Sequence, residues 1–197
     1  LWSLVSSAAL AQVPFSLAMP DVDPAHYELT RFAAGLGFPV GMAALPDGSL
    51  VVAESRDGAF FGNAHGTLAR LIDADHDGVA ESRTVLAEPL TFGGLTSVRV
   101  VDDLLFVTGQ GKPIGVYRFD EAFQSLAPIG QIDLIYPSNW LHRHSALEVR
   151  ATAADEYQLY FQVGSDRNMA VTERTATLSA ALGPTFQLAG DALHRLT

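Results

Sequence analysis

The chain contains no cysteine. That excludes a disulfide framework, thiolate metal ligation, iron–sulfur clusters and a cysteine nucleophile. It does not exclude export, because a large core stands without disulfides. Lysine is nearly absent too. Lys112 is the single lysine among 12 basic residues, which face 22 acidic ones for a net charge of −10. Nucleic-acid binding needs clustered positive charge to displace counterions, so no nucleic-acid partner is expected. A polybasic membrane tether is excluded on the same ground. Long apolar runs are missing as well, so no membrane span is expected. The sequence holds no G-x-S-x-G, no H-E-x-x-H and no N-x-[ST]. Gly109-Gln110-Gly111-Lys112-Pro113-Ile114-Gly115 is off register for a dinucleotide fingerprint and lacks the spacing of a phosphate loop. A nucleotide enzyme, a serine hydrolase and a zincin therefore have no support.

What is present is a globular composition. Hydrophobic residues make up 48% of 197, enough for one sizeable core and too many for a disordered chain. Residues 1–11 are apolar and close on Ala9-Leu10-Ala11, the pattern of a signal-peptide tail with its cleavage site before Gln12. A short buried segment is the alternative, since no basic n-region precedes the run. We expect residues 1–20 to be a signal-peptide remnant and linker, residues 21–197 to be one domain, and the location to be periplasmic or secreted.

The domain reads as strands and turns. Leu45-Pro46-Asp47-Gly48 is a turn with Pro to preset φ and Gly to supply positive φ, and a strand at 48–53 follows. Further strands are expected at 67–72, 97–101, 104–108, 115–119, 146–150 and 159–163, each β-branched or aromatic and bounded by Gly, Pro or Asp. The stretch 171–181 is the one plausible helix, or a loop with one turn. Val52, Phe106 and Phe161 recur mid-strand at intervals of 54 and 55 residues. A period of about 50 residues with about four strands per unit is the signature of a β-propeller blade, against a β-sandwich as the alternative. Residues 21–197 hold a little over three such units, fewer than the roughly four blades that close a ring. The expected fold is all-β, about three four-stranded blades of a probable six-bladed propeller, possibly a truncated fragment. Such an open arc predicts hydrophobic patches at both of its ends.

Four segments carry a family resemblance, in order along the chain. The run 35–54 contains Pro39-Val40-Gly41-Met42 and Leu45-Pro46-Asp47-Gly48-Ser49-Leu50. It is followed by Arg70-Leu71-Ile72-Asp73 with Asp77-Gly78, by Gly94-Leu95-Thr96-Ser97, and by His142-Arg143-His144-Ser145-Ala146-Leu147 with Gly164-Ser165 and Asn168. Together these resemble the N-terminal half of the glucose/sorbosone dehydrogenase family, on its sorbosone-like branch. That family comprises soluble β-propeller quinoproteins that use pyrroloquinoline quinone (PQQ). The resemblance spans about residues 29 to 170. It implies PQQ-dependent oxidation of a sugar, alcohol or aldehyde by hydride transfer to the quinone, with a separate electron acceptor downstream. A redox step carried by the cofactor suits a chain without cysteine.

The resemblance also implies roles for residues. A histidine five positions before the strand leucine takes the substrate hydroxyl proton, and His142 stands five before Leu147. His144 stands three before and competes for the role. A structural histidine, or His-x-His as a metal pair, remains open. Ser165 occupies the place where the glucose branch has the aspartate that orients the base, so activation of the base is expected to differ. Arg167 and Asn168 are candidate contacts to a quinone carboxylate or a substrate hydroxyl, against residence in a polar turn, and Ser165 is grouped with them as a candidate cofactor-binding residue. Separately, Asp73, Asp75 and Asp77, with Gly78 at the bend and Glu81 as a late ligand, suit the first half of a Ca²⁺ loop. Position 12 is Thr84 rather than Glu, and a solvated acidic turn is the alternative. Two rival functions stand beside the dehydrogenase. One is a non-catalytic propeller that serves as a binding module. The other is a metal-dependent lactonase-type propeller, for which 39–54 offers only Glu54.

Overall fold

The computed structural model describes residues 23, 26, 29–55, 64–168, 174–180 and 186–197. The expectation for residues 1–20 lies outside these. Among the described residues there are thirteen strands and no α-helix.

The strands form three antiparallel sheets. The first is four-stranded, in the order β1(Pro39–Ala44), β2(Leu50–Glu54), β3(Thr67–Ile72), β4(Ser82–Ala87). The second begins the same way with β5(Leu95–Val101), β6(Leu104–Gly109), β7(Ile114–Phe119) and β8(Leu126–Ile135). Its outer edge is then extended to six strands by β11(Thr175–Ala180) and β12(Phe186–Ala189). The third holds β9(Leu147–Ala153), β10(Glu156–Val163) and β13(Ala192–Leu196). Consecutive up-and-down sheets stacked face to face are successive propeller blades. The expected uniform count of four strands holds only for the first. The β11–β12 hairpin leaves the third sheet, pairs with the second, and the chain returns as β13.

Within 171–181, where a helix or a loop with one turn was expected, the described residues Thr175–Ala180 form a strand of that hairpin, and 171–173 and 181 lie outside the described residues. Thr175-Ala176-Thr177-Leu178 alternates polar and apolar, and Ala176 and Leu178 are buried while Thr175 is exposed. Period two is strand patterning, and pairing with β8 covers an edge that would otherwise be open.

Two cores lie between the sheets. Val51, Ala53 and Leu68 of the first sheet meet Val98, Leu105, Val107 and Tyr117 of the second. Leu104, Phe106 and Ile114 of the second meet Leu147, Leu159, Phe161 and Val163 of the third. The repeat register inferred from Val52, Phe106 and Phe161 is therefore one residue out. Phe161 faces back toward the preceding sheet, whereas Phe106 faces forward. Val52 lies on the side of its sheet away from the second. A one-residue slip changes the face of every side chain in a strand. On the forward faces Val51 corresponds to Phe106.

The two outward faces differ. The first sheet's outer side carries a groove of about 490 Å³ lined by Phe32, Leu36, Met42, Leu50, Val52 and Leu71, and Met42 is 67% exposed. The third sheet's outer side carries Glu148, Arg150, Gln158, Tyr160 and Gln162, alternating with buried Leu147, Val149, Leu159 and Phe161. Its polar groups satisfy one another, with Arg150 and Tyr160 both donating to Gln158 Oε1. Exposed Leu193 is the apolar exception on this sheet. The expected hydrophobic patch is thus prominent at one end of the arc only.

Candidate functional site

The turn between β6 and β7, the connector between β8 and β9, and the exit of β10 come together at one end of the second and third sheets. Backbone hydrogen bonds weld them. Leu141 N–H donates to Asp166 O (3.2 Å), His142 N–H to Ser165 O (2.9 Å) and Gly111 N–H to His144 O (3.3 Å). The connector, residues 136–146, is thereby laced to the β10 exit on one side and to the 109–113 turn on the other.

The two histidines of the connector have opposite surroundings. His144 is fully buried. Its Nε2–H donates to the Lys112 carbonyl (2.6 Å), with Thr108 Oγ1 3.1 Å away. The Tyr136 hydroxyl donates to its Nδ1 (2.8 Å) and accepts its backbone N–H (3.0 Å). Both ring nitrogens are thus used by the neutral form. Burial, above all, pushes its pKa down to about 4; the nearby Arg143 acts in the same direction and the Lys112 carbonyl opposes it. Burial likewise raises Tyr136 to about 12, so its proton stays in place. Tyr136 stacks on His144 and meets the edge of Trp140. A charged base or a metal ligand is a poor role for such a group.

His142 is exposed. Its Nε2–H donates to Asn168 Oδ1 at 2.6 Å. That bond leaves Nδ1 as the lone-pair nitrogen, able to accept a proton. His142 and Asn168, 26 positions apart in the chain, were both singled out from sequence, and the fold brings them together. Ser165 does not meet the imidazole through its side chain; its carbonyl accepts the His142 N–H. Asp166 turns to Arg174 (3.4 Å) and Arg167 (3.5 Å). Arg167 is 69% exposed. Among the described residues Lys112 and Arg143 make no ion pair with a carboxylate. The segments around His142 thus carry Lys112, Arg143 and Arg167 together with Asp166.

Asp73, Asp75, Asp77 and Glu81 also converge, with one oxygen from each lying within 4.8 Å of the others. Their carboxylates accept backbone N–H groups of the loop itself: Asp77 and Gly78 to Asp73, Val79 to Asp77 and Ala74 to Glu81. The loop follows β3. It sits at the end of the first sheet that also carries the 45–49 turn, away from the end of β2. Arg70 ties that same end to the turn at Ala122 and Phe123 of the second sheet. The connector lies at the other end of the sheets, so the acidic loop and His142 are separate sites.

Two further residues prove informative: Glu54, raised from sequence only for the lactonase alternative, and Trp140, which the sequence did not single out. Glu54 is fully buried at the end of β2, and its carboxylate accepts Gly37 N–H (2.7 Å) and two Arg83 N–H groups (3.1 and 2.6 Å). Committed in this way, it is not available as a metal ligand on a lactonase axis. Trp140, 3% exposed, donates its indole N–H to the carbonyls of His142 and Gly164, both at 3.1 Å. A buried Trp needs a partner for its N–H, which is the signal that could have drawn attention to it.

No family model matches the chain, and no curated protein matches it. Among solved structures, the chain is similar to the holo PQQ domain of pyranose dehydrogenase from Coprinopsis cinerea, at 15% identity and a TM-score of 0.49. The match covers 75% of this chain and 34% of that one, so the chain spans about a third of that domain's length.

Proposed function

We propose that the chain forms part of a PQQ-dependent dehydrogenase, exported to the periplasm or secreted, that oxidises a sugar, alcohol or aldehyde and passes electrons to a separate acceptor. The observation that carries this reading is the hydrogen bond from His142 to Asn168, which leaves a solvent-facing ring nitrogen free to take a proton. The order of family-like segments supports it. The donor set suits a quinone with several carboxylates: Lys112, Arg143 and Arg167 supply positive charge, and Asn168 retains its amide N–H groups. When bound, the quinone supplies the hydride acceptor.

The residues of the chain have these tasks. Nδ1 of His142 accepts the substrate hydroxyl proton. Asn168 holds the ring in the tautomer that makes this possible. Being neutral, it stabilises the resulting imidazolium less than a carboxylate does. The cations nearby favour bound anionic groups. Ca²⁺ at the 73–81 loop serves stability rather than chemistry, because the loop lies away from His142.

The test is to add PQQ to the protein and follow Trp fluorescence, then dye reduction with a panel of aldoses, alcohols and aldehydes. Saturable binding and dye reduction that needs both PQQ and substrate are expected. Binding without turnover would make the protein a binding module. No PQQ binding would overturn the proposal.

A further inference from the structure

We propose that Trp140 is a positioning residue for His142. The inference rests on the reading of His142 as the proton acceptor. His142 is exposed, so side-chain packing does little to fix it. Its precision has to come from the backbone, because a displacement of about 1 Å can cost a reaction on the order of 100-fold.

The backbone at this point is held on three sides. The His142 N–H is bound by Ser165 O and the preceding Leu141 N–H by Asp166 O. The His142 carbonyl is bound by the Trp140 indole, which simultaneously binds the Gly164 carbonyl. One N–H therefore bridges the connector and the exit of β10. Gly164 is part of the same seat: a Cβ there would lie 2.7 Å from His142 O and 3.1 Å from His142 Cβ. Only glycine allows the approach. Asn168, which holds the His142 ring, follows four residues later on the segment that Trp140 grips.

Trp140 is itself fixed. Tyr136 packs on it edge-on with centroids 5.3 Å apart, and the Arg174 guanidinium lies 5.7 Å from its ring centroid. Its ring belongs to the core between the second and third sheets, with Leu147, Phe161 and Val163. The rigidity of that core is thus handed to an exposed histidine through one shared hydrogen. Packing alone would accept Phe at this position. The two carbonyls require the donor.

The test is Trp140→Phe, which keeps most of the ring and removes the N–H. Nitrogen-15 NMR of the histidine side chains reads the tautomer of His142 directly, with or without turnover. In the wild type, His142 should show a single Nε2–H tautomer. In Trp140→Phe it should average between tautomers, while His144, held by Tyr136 and Lys112, stays unchanged. In the PQQ-loaded protein kcat should fall about 10-fold or more with KM little altered, and the acidic limb of the pH–rate profile should move. Should Trp140→Phe fail to fold, Gly164→Ala disturbs the same seat from the opposite side and should produce the same His142 signal. An unchanged His142 tautomer in a folded variant overturns the proposal. So does a variant in which both histidines change together, since Trp140 would then be a core residue only. Absence of turnover in the wild type counts against the dehydrogenase reading and leaves the NMR result to decide this one.

Discussion

The two inter-sheet interfaces are pinned by different chemistry. Between the first and second sheets the pin is Arg70, 8% exposed, which donates to Ser49 Oγ (2.8 Å), to Asp47 and to the Phe123 carbonyl (3.1 Å). Between the second and third sheets it is neutral His144, bound to Tyr136 and to the Lys112 carbonyl. A guanidinium keeps its charge at every working pH, whereas a buried imidazole is lost as a pin once it must carry a proton. Two interfaces of similar apolar make-up should therefore respond differently to acid.

The direction follows from the proton balance. His144 titrates near 4 in the folded protein and near 6.5 when unfolded, so between those values the unfolded chain binds more protons. Stability contributed by neutral His144 is complete above about pH 6.5 and is lost as pH falls toward 4, amounting to about 3 kcal/mol. For Asp47, burial favours the neutral acid, but the hydrogen bonds from Ser49 and the charge of Arg70 outweigh it and lower the pKa. Its contribution is retained until the pH drops below the ordinary carboxylate value of 3.8.

The largest expected effect follows from this difference. At pH 4.5, hydrogen exchange should accelerate through 108–113 and 136–146 while β2 and β3 remain protected. Equal loss at both interfaces would erase the distinction. Arg70→Met should cost about 2 kcal/mol at pH 7, since it leaves two carbonyls and Ser49 short of a donor, and should open the first interface instead. Asn168→Asp puts a carboxylate against His142 Nε2. It should move the acidic limb of the pH–rate profile up by about one pH unit and leave exchange at both interfaces unaltered. The smallest effect is calcium. Millimolar Ca²⁺ should raise the melting temperature by a few degrees if the 73–81 loop binds it, and Asp75→Asn with Asp77→Asn should remove the shift. An unchanged wild-type melt makes the loop a turn.

Much of the fold is legible in the sequence where one strand face is buried. Thr67–Ile72 emerges as read, and β6 and β10 differ from their expected bounds only at the ends. β1 and β4 are harder, because Pro39, Met42 and Ser82 through Val85 are exposed and carry little alternation. The β11–β12 hairpin was missed as a strand pair because its small residues, Ala176 and Ser179 among them, suit a helix as well as a strand. Its return to the second sheet is a tertiary choice that no local pattern encodes. At the site, the family resemblance favours His142 over His144 by its distance from Leu147, and the structure leaves the first exposed and buries the second. What spacing cannot show is that Asn168 rather than Ser165 meets the ring, since this depends on how the β10 exit bends around Gly164.

The central claim is that these two histidines, two residues apart, divide the labour between chemistry and structure. The direct test is His142→Ala beside His144→Ala in the full-length, PQQ-loaded protein, with kcat and melting temperature measured for both. His142→Ala should lower kcat by about 10²–10⁴-fold and leave the melt within about 0.5 kcal/mol of wild type, because an exposed side chain contributes little to stability. His144→Ala should cost about 3 kcal/mol of stability, because it creates a cavity and strips partners from Tyr136 and Lys112. Wild-type turnover in His142→Ala with PQQ bound, or equal loss of stability in both variants, would contradict the account.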